Sequence, residues 1–270
     1  MTIFSAVLFA CFVWWFSTGA ILWVVKTADR GTQSAHRNAT LAAIPVLVLG
    51  LTGLYLTADD GSPMGVYLAF LSTIAVWGWF ELAFLCGVVT GPMPKPCPPN
   101  VDSFERFLRG WGAVAYQEIA LLFIAIGLLV VTEGTANQIG MLTFMILFFA
   151  RMSAKLNIYM GVQNINTEFL PRPVRHLASH FRSARINWLF PISVSGLGFT
   201  TGFWIERVTA AQDPGMIIGY SLLAALTALA MIEHWLMVVP LADAKLWQWM
   251  LPQTKAGLPQ TTKVGENHGL

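Results

Sequence analysis

Five charged residues, Glu81, Glu118, Arg151, Lys155 and Glu233, stand in segments that are otherwise apolar and long enough to cross a membrane, and His234 follows the last of them. A charge at membrane depth is costly, so it marks a functional site or a structural ion pair inside a helix bundle. Three carboxylates and two cations can pair and leave one acid over, which offsets much of the cost of desolvation. An ion-pair lock would fix helix register. A polar cavity open to the cytoplasm would bind a ligand or move a proton. A carboxylate metal centre would need Glu81, Glu118 and Glu233 with His234. The Glu-x-x-His spacing of di-iron bundles is missing, and Arg151 and Lys155 compete for the same carboxylates, so no metal is expected. A neutral His234 imidazole could ligate the magnesium or iron of a tetrapyrrole; a lone intramembrane histidine is more often a hydrogen-bonded packing residue. A retinal site is excluded, because Lys155 lies on the fifth segment and the seventh has no lysine.

These residues need helices to hold them. Hydrophobic residues make up 56% of the 270 and charged residues only 11%, with mean hydropathy +0.61. A soluble domain carries about 25% charged residues. A window of about 19 residues gives seven apolar segments: Ile3 to Val25, Ala39 to Thr57, Val66 to Thr90, Gly110 to Thr132, Ile139 to Val162, Ile186 to Ile205, and Met216 to Leu241. The expected fold is an all-α, polytopic seven-helix bundle spanning residues 1–252, with 253–270 a polar, disordered tail. Leu246, Trp247, Trp249 and Met250 suggest a stretch resting on the membrane surface.

Charge sets the expected orientation. The first, third and fifth loops and the tail hold thirteen basic residues, whereas the second, fourth and sixth hold only Arg207. The positive-inside rule puts the N-terminus in the periplasm and the C-terminus in the cytoplasm. The first segment reads as a retained helix, since no basic residue precedes it and Lys26 and Arg30 follow it. All six polar residues then fall in the cytoplasmic half of the membrane, in a layer on the order of 10 Å. Arg151 and Lys155, four apart, share a helix face. The net charge of +2 gives no case for nucleic acid; membrane lipid is the expected surroundings.

The connecting stretches carry further signals. The proline-rich run Gly91 to Pro99 favours an extended path, and Asp102 to Arg109 reads as a short interfacial lead-in to the fourth helix. Gly198 and Gly202 form a GxxxG, expected to pack closely within the bundle. At and after the end of the fifth helix, Asn157, Gln163, Asn164, Asn166 and Glu168 place amides and a carboxylate at the surface, where they must find partners. They form either a structured cap over the bundle or a docking surface. His176 and His180 would share a helix face, but the arginines at 172, 175, 182 and 185 favour a basic surface helix against anionic lipid over a metal half-site. Cys11, Cys86 and Cys97 have no ligand or disulfide spacing.

The run Lys-Leu-Asn-Ile-Tyr-Met-Gly-Val-Gln-Asn-Ile-Asn-Thr-Glu-Phe-Leu-Pro from Lys155, the wider stretch Arg151 to Pro191, and the upstream Glu81-Leu82-Ala83-Phe84-Leu85 and Thr90-Gly91-Pro92 resemble the PuhE-type photosynthetic complex assembly proteins of purple bacteria. The resemblance covers nearly the whole chain. It implies an assembly factor in the cytoplasmic or intracytoplasmic photosynthetic membrane, with reaction-centre or light-harvesting polypeptides as partners. Bacteriochlorophyll or a related tetrapyrrole is the pigment that His234 would meet. The family supplies no catalytic residues. An enzyme or carrier for a bacteriochlorophyll or carotenoid intermediate is the second reading. A proton or small-solute transporter is the third, although no inverted repeat is visible.

Overall fold

The computed structural model describes residues 2–32, 34–165, 167 and 170–239. Asn166, Glu168 and the expected surface stretch and tail from residue 240 onward lie outside the described residues. Eight α-helices are described: α1 Ile3–Asp29, α2 Ala35–Ala42, α3 Ile44–Leu56, α4 Pro63–Leu85, α5 Ser103–Val131, α6 Ile139–Met160, α7 Leu189–Ala210 and α8 Pro214–Leu236. A 3-10 segment, Arg172–His180, lies between α6 and α7. The architecture is all-α. Six stretches are long and apolar enough to cross a membrane: α1, α2 with α3, α4, α5, α6 and α8. That makes the chain a multi-pass membrane protein. The seventh expected segment is also helical, as α7, but its glycines, serines and threonines leave it less apolar than the six.

Local chemistry explains the boundaries. Thr2, Ser62, Asp102 and Asp213 each accept a hydrogen bond from a backbone N–H in the first turn of α1, α4, α5 and α8, which satisfies a donor the helix cannot satisfy itself. The second expected helix starts earlier, at Ala35, and breaks at Ala43; Pro45 in the first turn of α3 brings no N–H to continue a ladder. The expected lead-in before the fourth helix is instead continuous with α5.

The third expected helix stops five residues short, at Leu85. Gly87, at φ 73°, sits in the left-handed region. Its N–H donates to Phe84 and that of Val88 to Ala83, the paired closing bonds of a Schellman motif. A Cβ on Gly87 would come within 2.5 Å of Pro173, so the same residue lets the 3-10 segment approach.

In packing, α4, α6 and α8 form the centre, with α1 against α4 and α8, α3 on α4, α7 on α8 and α5 beside α6. Phe70, Ile139, Leu222, Leu223 and Leu226 are buried where α4, α6 and α8 meet. The close approach expected of the GxxxG is not seen. A Cβ on Gly202 would meet nothing within 4 Å, and one on Gly198 only Met231, at 3.7 Å. Gly198 thus touches α8 only at ordinary van der Waals distance, and Gly202 faces open space.

The two ends of the bundle differ. At the tight-turn end, the α3–α4, α5–α6 and α7–α8 connections are short. At the other, the long connections 86–102 and 161–188 fold back over the helices. Met93 N–H donates to Gly112, Cys97 N–H to Ser179 Oγ, and Val162 pairs with Ser183 in an isolated bridge.

Candidate functional site: a charged layer between two cavities

The layer is built on one face of α6. Arg151 and Lys155, one turn apart, point toward α4 and α5. Arg151 Nη2 lies 2.7 Å from Glu81 Oε2 on α4. Lys155 Nζ forms an ion pair with Glu118 on α5 and donates to Gln117 Oε1 at 2.9 Å. Phe84, nearly one turn after Glu81, places its ring 5.5 Å from the Arg151 guanidinium carbon and 4.9 Å from Lys155 Nζ, within cation–π range of both. Two cations thus meet two carboxylates and one aromatic face. Gln117 and Phe84 were not among the expected site residues. Gln117 had a signal, a second polar residue beside Glu118 in an apolar run; Phe84 had none.

The layer lies nearer the helix ends than expected. Glu81 is four residues from the end of α4, because of the Gly87 stop, and Glu233 three from the end of α8. At 1.5 Å per residue these are depths of roughly 5–6 Å. Glu118 instead falls mid-helix, because α5 begins at Ser103 and extends beyond the others.

Glu233 has no salt bridge among the described residues. It stays accessible and lines a 280 Å³ cavity with Glu81, Arg151, Trp14, Ser17 and Thr18, between α1, α4, α6 and α8. The ion pairs therefore tie α4 and α5 to α6, and α8 joins through a shared cavity rather than a charge contact. A second cavity, of 360 Å³, lies on the other side of the Glu81–Arg151 pair, between α4, α5, α6 and the 3-10 segment. Glu81 and Arg151 line both. Glu81 Oε1 and Arg151 Nε in this wall, and Gln117 Nε2 behind Lys155, are buried with no hydrogen-bond partner among the described residues. Buried polar atoms are almost always satisfied, so three together call for an explanation.

His234 is buried, and both its nitrogens are engaged. Nε2 lies 2.9 Å from Ser153 Oγ and Nδ1 2.8 Å from the Ala230 carbonyl. If Nδ1–H donates to Ala230, Nε2 accepts from Ser153, and no lone pair is left for a metal. The geometry matches the packing role; ligation of a tetrapyrrole would require Ser153 to turn away. Among the described residues no three His, Cys, Asp or Glu are grouped to hold a metal ion.

The amides at and after the end of α6 act as joints. Asn157 is fully buried and donates to Ser153 O and Ser193 Oγ at 3.0 and 2.8 Å, joining α6 to α7. Asn164 donates to Leu236 O and Val239 O at the end of α8. Asn187 bridges the Asn157 and Gly161 carbonyls and accepts from Leu189 and Phe190 N–H. These contacts spend the side-chain donors of Asn157 and Asn164 inside the fold. The His176–His180 stretch is 3-10 rather than α-helical, so residues four apart do not align. His180 turns inward to line the second cavity, buried at 4% exposure, while Arg172 and Arg175 stay exposed.

Comparison with known proteins adds two similarities. A Rhodobacter capsulatus protein described as an uncharacterized 30.4 kDa protein in the puhA 5' region is 52% identical over 244 residues, 90% of this chain and 89% of that one. No solved structure matches. The model of a family described as protein of unknown function (DUF3623) matches residues 1–257, and the chain belongs to that family.

Proposed function

We propose that this protein is an integral-membrane assembly factor for a photosynthetic reaction-centre and light-harvesting complex, acting beside partner polypeptides or pigment within the bilayer. The observation that carries the reading is the relative at 52% identity, placed in a puhA 5' region, which agrees with the resemblance to PuhE-type assembly proteins. In this reading α7 is the seventh span, the N-terminus is periplasmic and the C-terminus cytoplasmic. The gathering of Lys26, Arg30, Arg106, Arg109 and the arginines at 172, 175, 182 and 185 at or beyond the capped end supports that orientation. The protein sits in the cytoplasmic or intracytoplasmic photosynthetic membrane. The charged layer serves as a built recognition wall rather than a catalytic centre.

Deletion of the gene in the bacterium of origin tests this. An assembly factor predicts normal pigment synthesis with loss of assembled complex in membrane absorption spectra. Accumulating pigment precursors with normal assembly of the remaining complex would favour the enzyme or carrier reading and contradict this one.

A further inference from the structure

We propose that the cavity between α4, α5, α6 and the 3-10 segment binds an uncharged, membrane-soluble amphiphile, its apolar body against the aromatic walls and its hydrogen-bonding head at the Arg151–Glu81 pair. Three observations lead there. The 360 Å³ volume is of ligand size, and its walls are apolar, with Phe84, Phe107, Trp111, Val114, Leu156 and Phe181 among them. Phe107, Trp111 and Leu156 are also exposed on the outside of the bundle, so the mouth faces where lipid would lie. At the inner wall, Glu81 Oε1 lacks a donor and Arg151 Nε lacks an acceptor. Both atoms are covered, so a head that accepts and donates one hydrogen bond, such as a hydroxyl, would satisfy them once the two side chains turn toward it.

Charge selects against an ionic head. The wall holds two cations and two carboxylates, each already paired, so it presents no net counter-charge. Burying an unpaired ionic head there would be costly. The occupant therefore comes from the bilayer as a neutral lipid-like molecule and not as a phospholipid headgroup or a partner helix. This inference is independent of the assembly reading.

Photolabelling tests it. The purified full chain is placed in phosphatidylcholine vesicles with a trace of hexadecanol bearing a chain diazirine, and labelled peptides are mapped. The expected result is label concentrated on the α5 and α6 peptides holding Trp111 and Leu156, with none of that preference for the diazirine palmitate anion. Gly110→Leu should reduce it by about tenfold. A Cβ at Gly110 is tolerated, with Tyr159 at 3.7 Å and His180 at 3.8 Å, while the rest of the leucine fills the cavity. Val114→Trp serves if Gly110→Leu does not fold, and Ile126→Trp, outside the cavity lining, should change nothing. Even labelling of all lipid-facing helices, equal labelling by palmitate, or capture of a polypeptide by benzoylphenylalanine at Trp111 in native membranes would each overturn the proposal. Loss of assembled complex on deletion would stand whichever way this test falls.

Discussion

The two ends of α4 and α6 are built differently, although the same helices run through both. At the tight-turn end, most buried polar groups are satisfied, the Trp204 indole N–H being an exception among the described residues. Thr73 Oγ lies 2.8 Å from the Gly140 carbonyl, bridging α4 and α6. Asn137 donates to the Thr57 and Asp60 carbonyls, both at 3.0 Å, and accepts from Ile139 N–H. Backbones approach so closely that a Cβ on Gly215 would lie 1.9 Å from the Gly61 carbonyl oxygen. At the capped end, ion pairs separate two cavities and buried polar atoms go unpartnered. A bundle that needed only to stand would repeat the first solution at both ends. On the proposed reading, the first end is closed by close packing and the second carries the recognition wall.

The largest effect should come from breaking an ion pair at the capped end. Arg151→Ala leaves the Glu81 carboxylate, 12% exposed, without its cation. A loss of about 3 kcal/mol is expected, read as a lower melting temperature in detergent; an unchanged melting temperature would mean the pair is hydrated and not part of the framework. Next is Gly215→Ala at the other end, where backbone blocks the new methyl. Overpacking should cost about 2 kcal/mol, and a neutral result would show that this end is looser than described. Thr73→Val keeps the shape and removes one buried hydrogen bond, for about 1 kcal/mol in the same melting experiment.

The smallest effect is a pH dependence confined to the capped end. Burial holds the His180 imidazole below its ordinary pKa of 6.5, aided by His176, Arg106 and Arg109 and opposed by the Lys95 backbone. The unfolded chain then binds the proton more readily than the folded one. Stability is therefore full above that ordinary value and falls as pH drops through it toward the lowered one. His180→Phe should flatten the acid limb of melting temperature between about pH 7.5 and about pH 5. His176, lowered for the same reason, would keep a remnant. An unaltered limb would show that His180 does not report on this end.

Much of this was legible in the residues. Apolar runs gave the helices, and the four-residue spacing of Arg151 and Lys155 put both cations on one face. Partner choice was not legible, because an apolar run bounds depth only to the helix ends it suggests and says nothing of rotation about the helix axis. Glu233 thus shares a cavity with Arg151 without forming a salt bridge among the described residues. The Gly87 stop was missed because apolarity continues to Val89 while the backbone turns. The amide-rich run looked like surface chemistry, yet Asn157 and Asn164 spend their donors on the ends of α6, α7 and α8. The resemblance supplied the biological setting, which no spacing in this chain contains.

The central claim is that the capped end is built for recognition and not only for support. The most direct test is the double variant Glu81→Gln with Arg151→Gln, expressed in place of the native chain. It removes both charges together and leaves two hydrogen-bonding amides, so the purified protein should melt close to the native temperature. The account predicts that assembled photosynthetic complex, measured by membrane absorption, falls toward the level of the deletion strain. Native levels of assembled complex from a normally folded double variant would contradict it.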